Sequence, residues 1–265
     1  MGESYEISTQ IEQRLYDYFA SIELSDELTL YEKLIFSLRK KDVIATFNWD
    51  PLLGYAFRRN SSIKCLPHIL FLHGNVLQGV CEEHKRLGWN DDSCAICGEQ
   101  LKPTQLLYPV ESKNYEKDSV ISSQWKLLDD YLSDAFFVTI FGYSAPLTDI
   151  SARERIIEKI IKNSRKDFLQ LEIIDLHPEE LIEGNLIGLK DEGIHCNLIN
   201  SFEKSWLCKH PKFTCEALYQ AVMQQDPIAP IPFPVTDNLG EYLTWNSQLV
   251  EKFPFFLTEG NEKQG

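Results

Sequence analysis

Five short apolar runs constrain this chain more than any other feature of its sequence. They are DVIATFN (42–48), HILFLHG (68–74), AFFVTIFGYS (135–144), FLQLEIIDL (168–176) and IHCNLIN (194–200). Runs rich in β-branched and aromatic residues are typical of strands that are buried on both faces. Because helical patterns separate most of them, the sequence predicts an α/β fold, a Rossmann-like parallel sheet sandwiched by helices.

The intervening segments carry start signals for these helices. Thr29 and Glu32 fit a capping box at the start of a helix over 29–40. Asp50 can cap a helix that begins at Pro51, where proline is well tolerated. Further helices are predicted at 4–22, 120–134, 151–165, 178–190, 215–225 and 239–252.

The composition changes twice along the chain, and these changes predict its domains. Residues 1–76 and 106–204 are expected to form the Rossmann-like domain. Residues 77–105 are polar and cysteine-rich, and they are expected to form a zinc-binding module inserted into it. Residues 205–265 are expected to be a C-terminal helical extension, in which DPIAPIPFP holds too much proline for regular structure.

Cys81, His84, Cys94 and Cys97 have the spacing of two metal-binding knuckles. Zinc prefers four such ligands in a tetrahedron, and a site closed by four protein ligands is structural rather than catalytic. The prediction is a small zinc ribbon. A redox dithiol formed by Cys94 and Cys97 is the alternative.

Charge and targeting signals narrow the classes of partner and compartment. A formal net charge of −14 gives no expectation of nucleic-acid binding, because phosphate backbones repel such a chain. No apolar run is long enough to predict a membrane span, and the N-terminus does not resemble a signal peptide. Seven cysteines without an export signal are expected in a reducing compartment, the cytoplasm.

Polar residues end three of the predicted strands. In parallel sheets ligands bind beyond the carboxyl ends of the strands, where these side chains fall. One strand-end histidine is more often a satisfied core residue than a catalyst, but three polar strand ends in one sheet favour a binding site. The candidate residues are Thr46, Asn48 and Asp50 on the first run, His73 on the second, and Gly142 and Ser144 on the third.

The order of these motifs resembles the sirtuin family over about residues 42–200. Thr-x-Asn-x-Asp is followed by His-Gly, by the paired knuckles and by a Gly-x-Ser strand end, and CGEQLKP (97–103) is similar to the segment after the last zinc ligand. FGYSAPLTD (141–149) most resembles bacterial sirtuin-like proteins, many of which are antiphage NAD-hydrolysing effectors. The resemblance implies a sirtuin-like NAD-dependent enzyme. YPVE (108–111) replaces the Phe-Gly-Glu pattern of deacylases, so NAD hydrolysis ranks above protein deacylation.

The resemblance also implies roles for individual residues. Asn48 and Asp50 would lie beside the nicotinamide and its ribose, with Thr46 in the same cofactor-binding strand end. His73 would be the general base that takes a proton from a ribose hydroxyl. Ser144, next to Gly142, would touch the ribose or the phosphates. These side chains suit the cleavage of a nicotinamide–ribose bond, because a carboxylate stabilises positive charge on the ribose and an imidazole moves a proton.

One element of the family pattern is missing, and its absence keeps a second reading open. Sirtuins begin with a strand and a glycine-rich turn that holds the dinucleotide phosphates, whereas the first 41 residues here contain one glycine, Gly2. The chain could be a shortened form of a complete enzyme, or another subunit could supply the turn. It could also be a catalytically inactive, zinc-stabilised scaffold that acts through protein–protein contacts or as a homo-oligomer.

Overall fold

A computed structural model of the protein describes residues 2–108, 118–223 and 228–257. Each segment predicted to be helical contains an α-helix. The α-helices are α1 Gly2–Ala20, α2 Leu30–Ser37, α3 Leu52–Arg59, α4 Ser119–Asp134, α5 Ile150–Ile161, α6 Pro178–Glu183, α7 Ile187–Asp191, α8 Trp206–Lys209, α9 Thr214–Met223 and α10 Leu239–Lys252.

Each of the five apolar runs contains a strand, and three further short strands lie between the second and third runs. The strands are β1 Val43–Thr46, β2 His68–Phe71, β3 Gln78–Val80, β4 Leu87–Trp89, β5 Lys102–Pro103, β6 Phe137–Phe141, β7 Gln170–Ile174 and β8 Cys196–Ile199. β1 pairs with β2, and β6, β7 and β8 pair in that order, all in parallel. The α/β fold class with parallel strands and surrounding helices is therefore confirmed.

The parallel strands form two ladders, whereas the sequence predicted one sheet. Within the described residues, β1 and β6 do not pair with each other. Apolar patterning predicts that a segment is a strand, but it does not predict which edges pair. The two ladders nevertheless share one hydrophobic core, to which Leu72, Trp125 and Leu171 all belong.

Helix α4 joins the two ladders through this core. Asp118 caps it by accepting hydrogen bonds from the backbone N–H groups of its first turn. Its buried face repeats at helical spacing with Ile121, Trp125, Leu128 and Leu132. Trp125 is fully buried and donates its indole N–H to the carbonyl of Leu72, 3.1 Å away. Burial of such side chains contributes about 1.5–3 kcal/mol each, so α4 fixes the end of the β2 run relative to β6–β8.

The prediction of a single helix over 178–190 is wrong in one respect, because the structure has two short helices there. Gly184 closes α6 through its N–H, which donates to the carbonyl of Glu180, and α7 begins three residues later. Glycine is a poor helix former, so the chain changes direction at this point.

Some of the remaining sequence predictions fall on described residues and others do not. Residues 228–234 form neither helix nor strand, as their proline content predicts. The end of the helix predicted at 215–225 and most of YPVE (108–111) lie outside the described residues. The proposed domain boundaries stay a prediction. Among the described helices, none combines the length and the apolar character needed to cross a bilayer.

Candidate functional site

The carboxyl ends of β1, β2 and β6 meet through aromatic contacts. Phe47 follows β1, and its ring packs edge-on against His73, with centroids 4.7 Å apart and an interplanar angle of 70°. The other contact of Phe47 is a parallel stack on Tyr143, which follows β6, at 4.4 Å and 10°. The structure therefore brings the three predicted strand ends into one cluster, although β1 and β6 belong to different ladders.

His73 is buried within this cluster and bonded to a carboxylate. Its side chain is 8% exposed, and its Nε2 atom lies 2.9 Å from Oδ2 of Asp149, which is 4% exposed. The turn after His73 depends on Gly74, which has a positive φ of 78°. A Cβ atom there would lie 2.3 Å from the carbonyl oxygen of Gln105, so only glycine fits this close approach. The Gly74 turn thus fixes the backbone beside His73, and the contact with Asp149 fixes its ring.

The loop after β1 is organised by local hydrogen bonds. The side-chain oxygen of Thr46 accepts from the backbone N–H of Asn48 at 3.1 Å. Asp50 accepts from the N–H of Leu52, the first residue of α3, at 3.1 Å. The helix was expected to begin at Pro51 with Asp50 as its cap, but it begins one residue later and its cap position is Pro51, which forms no side-chain cap hydrogen bond. Asn48 is exposed, and its side chain acts on Tyr31 of α2, where it lowers the pKa of the phenol. Asn48 and Asp50 therefore lie on the loop adjoining Phe47, and Asp50 is bonded to the first turn of α3.

Asn75 ties this loop to the turn after β2. The residue is 1% exposed, and its side-chain NH2 donates to the carbonyls of Asn48 and Asp50 at 3.2 and 2.7 Å. Its side-chain oxygen accepts from the N–H of Leu77 at 2.9 Å. One buried amide thus fixes the separation between the Asn48–Asp50 loop and the segment that carries His73.

The loop after β6 carries the remaining predicted residues. Gly142 has a positive φ of 59°, with open space where a Cβ atom would lie. Ser144 is exposed, and its carbonyl accepts from the side chain of Asn185 at 2.8 Å. Ala145 follows with a positive φ of 46° and is fully buried, so the chain turns sharply inwards here.

Burial and the neighbouring carboxylate set the electrostatics of this loop. Burial, with the charge of Asp149, raises the pKa of Tyr143 well above its ordinary value. Beside the loop after β1, burial and then the charge of Asp50 raise the pKa of Tyr31, and the side chain of Asn48 opposes this rise. Both phenols are therefore neutral near pH 7 and line the strand ends as apolar rings with polar tips.

The four predicted metal ligands also converge. The ligand atoms of Cys81, His84, Cys94 and Cys97 all lie within 4.8 Å of one another. The Cys81 Sγ to His84 Nδ1 distance is 3.6 Å, Cys81 Sγ to Cys97 Sγ is 3.7 Å, and Cys94 Sγ to His84 Nδ1 is 3.8 Å. Ligands about 2.0–2.3 Å from a common zinc ion are about 3.6–3.8 Å apart in a tetrahedron. The residues present therefore fit a zinc ion.

Two tight turns present these ligands. Cys81 directly follows β3, and the turn that leads to β4 has Lys85 at a positive φ of 52°. The second knuckle closes when the N–H of Gly98, at a φ of 77°, donates to the carbonyl of Cys94 at 2.8 Å. Backbone N–H groups of Cys97 and Ile96 lower the pKa of the Cys94 thiol to about 6. A thiolate is the form of cysteine that binds metal.

Sequence reasoning missed two residues of the strand-end cluster. Asp149 lies in the quoted stretch FGYSAPLTD, but nothing local indicates that its carboxylate reaches His73. Asn75 follows His73 and Gly74 directly, and an amide at the end of an apolar run was a usable signal. Its partners are backbone carbonyls, so only the loop conformation reveals its role.

Two solved structures are similar to parts of this chain. The first is a sirtuin structure described as "The Structural basis of Sirtuin Substrate Affinity". It is 17% identical to this chain with a TM-score of 0.37, and the match covers 66% of this chain and 64% of that one. A structure of Sir2 in complex with the inhibitor EX-527, 2'-O-acetyl-ADP-ribose and deacetylated p53 peptide is 15% identical with a TM-score of 0.33, over 63% of this chain and 72% of that one. This chain thus spans 64% of the length of the first structure. No protein-family model and no curated protein matches the sequence.

Proposed function

We propose that this protein binds NAD, or a closely related nucleotide, beyond the carboxyl ends of β1, β2 and β6 and cleaves its nicotinamide–ribose bond. The observation that carries the proposal is the contact between Phe47, His73 and Tyr143, one from each strand end, with Asp149 bonded to the histidine. A histidine that is buried, oriented and paired with a carboxylate has the arrangement of a general base.

In the proposed reaction the C1'–N bond of the nicotinamide riboside breaks, and its electron pair leaves with neutral nicotinamide. The ribose then carries positive charge, which the Asp50 carboxylate would stabilise. Water supplies the oxygen that bonds to C1', and the proton that it loses passes to His73, directly or through the ribose hydroxyl that His73 deprotonates, and then to solvent. The products are ADP-ribose, nicotinamide and one proton.

A matched set of variants tests the proposal. Purified full-length protein is incubated with NAD, and nicotinamide release is measured by chromatography. We expect His73→Ala and Asn48→Ala to abolish release, with the melting temperature of Asn48→Ala within a few degrees of the wild type. Because His73→Ala removes the partner of the buried Asp149, His73→Gln, which keeps a donor for that carboxylate, is the folded variant that should also be inactive. His177→Ala and Asn200→Ala, both at exposed positions, are the controls and should keep full activity. An inactive wild-type protein, or an active His73→Ala variant, would refute the proposal.

Hydrolysis ranks above NAD-dependent deacylation, and an antiphage role would follow from NAD depletion. The same incubation in the presence of an acetyl-lysine peptide separates the two reactions. Hydrolysis releases nicotinamide at the same rate without peptide. Deacylation requires the peptide and transfers its acetyl group to the ribose, so the appearance of acetyl-ADP-ribose would reverse the ranking.

A second candidate function is a catalytically inactive scaffold, favoured by a specific observation. Between Gly2 and Gly54 the sequence holds no other glycine, so residues 3–53 offer no glycine-rich turn for a pyrophosphate. A scaffold should show no thermal shift with millimolar NAD, since only binding to the folded state raises the melting temperature. A saturable shift that Asn48→Ala removes would exclude it.

A further inference from the structure

The loop between Gly142 and α5 buries a charge and exposes an apolar side chain. Leu147 is 66% exposed, whereas Asp149, two residues later, is 4% exposed. Burial of a leucine side chain is favourable, whereas burial of a carboxylate is unfavourable unless it is paired. Stability alone would select the opposite arrangement, so the inward carboxylate indicates a role at the site that it faces.

Two features of the loop backbone turn the Asp149 carboxylate towards the interior. Ala145 holds a positive φ of 46° while fully buried, a left-handed conformation that is unfavourable for any residue other than glycine. A single 3-10 turn, Leu147–Asp149, follows, and it is closed by the N–H of Asp149 bonding to the carbonyl of Pro146 at 3.0 Å. Strain of this kind is characteristic of functional loops.

We propose that Asp149 is a positioning residue for His73, fixing which nitrogen of the ring carries the proton; the inference rests on the proposed function. Their 2.9 Å contact joins Asp149 Oδ2 to His73 Nε2. A carboxylate only accepts hydrogen bonds, so Nε2 carries the hydrogen and the lone pair of the neutral ring lies on Nδ1. Nδ1 is then the atom that takes the proton lost by water, and Asp149 stabilises the imidazolium that forms.

The surroundings of the pair strengthen this interaction. Phe47 contacts His73 edge-on and stacks on Tyr143, so aromatic rings hold the imidazole plane. Tyr143 is neutral, since burial raises its pKa, and Arg153 at the start of α5 is the cation whose charge acts on Tyr143 together with that of Asp149. The carboxylate–imidazole contact thus lies in a low-dielectric environment, where an orienting hydrogen bond is stronger than in water.

Asp149→Asn is the decisive variant, because the amide keeps the shape of the carboxylate and reverses its hydrogen bond. The asparagine NH2 would donate to Nε2 and shift the hydrogen to Nδ1, removing the lone pair that the reaction needs. We expect kcat to fall by roughly 10²–10⁴-fold with KM little changed. Asp149→Glu should restore part of this loss. Asp129→Asn is the matched control, since the Asp129 side chain is only 16% exposed and is ion-paired with Arg155 rather than with His73.

A spectroscopic measurement tests the contact independently of turnover. Nitrogen NMR of histidine-labelled protein distinguishes the two ring tautomers, and His73→Ala identifies the signal among the six histidines. The wild type should show Nε2–H and Asp149→Asn should show Nδ1–H. A wild-type ring with Nδ1–H overturns the inference, as does Asp149→Asn with the activity of Asp129→Asn.

Failure of the positioning inference can be distinguished from failure of the proposed function. If His73→Ala abolishes nicotinamide release and Asp149→Asn does not, the positioning inference fails and the proposed function stands. If His73→Ala remains active, the proposed function fails and the positioning role fails with it.

Discussion

The turn after His73 offers a sharp test of how the fold holds its candidate base. Gly74→Ala places a methyl group 2.3 Å from the backbone carbonyl oxygen of Gln105, where no side-chain rotation can relieve the overlap. The positive φ of 78° adds about 1–2 kcal/mol for any non-glycine residue. Gly193→Ala is the matched control, because Gly193 has a φ of 70° and open space where its Cβ atom would lie.

The expected magnitudes follow from this difference. Gly193→Ala should cost about 1–2 kcal/mol, the conformational penalty alone. Gly74→Ala adds an overpacking cost of about 1–3 kcal/mol, for a total of about 2–5 kcal/mol. For a chain of this size 1 kcal/mol lowers the melting temperature by about 2–4 °C, so Gly74→Ala should unfold about 2–12 °C below its control.

The assay is thermal unfolding of both variants by circular dichroism at identical protein and salt concentrations. Because Gly74 adjoins His73, nicotinamide release should fall in Gly74→Ala and stay unchanged in Gly193→Ala. Equal melting temperatures for the two variants would refute the reasoning, since they would show that the turn after β2 does not approach Gln105 as closely as the structure indicates.

Three further predictions concern the metal cluster, a buried lysine and the loop amide. Purified protein should contain about one zinc ion per chain by atomic emission, and Cys94→Ser should lose the metal and unfold at lower temperature, while Cys196→Ser keeps both. Burial lowers the pKa of Lys212 from 10.5 to about 8. Between these two pH values the unfolded chain binds more protons than the folded chain, so the free energy of unfolding rises with pH in this range. Denaturant titrations should show a steeper rise between pH 8 and 10.5 for the wild type than for Lys212→Met, and parallel curves would contradict the burial effect. Asn75→Ala leaves two loop carbonyls without their donor and should cost about 1–3 kcal/mol in urea unfolding, against less than about 0.5 for the exposed Asn200→Ala; equal losses would show that the amide does not hold the loop.

Much of the fold could be predicted because its signals are local. The capping box of Thr29 and Glu32 is present at the start of α2, and each apolar run contains a strand. The knuckle spacing likewise predicted the cluster that contains Cys81 and Cys94, since ligands three residues apart on a tight turn are neighbours in any fold. The division of the parallel strands into two ladders was not predictable, because a strand's own residues do not specify its partner.

The sequence by itself determined the five apolar strands, most of the helices and the strand ends at which polar residues gather, because short-range periodicity and turn chemistry report which face of a segment is buried. Only the tertiary structure placed Asp149 against His73 and made Asn75 the tie between two loops. The residues in these contacts lie on different loops, and the distance between the loops depends on how both pack on the shared core. The sequence pattern of either loop alone does not specify that distance.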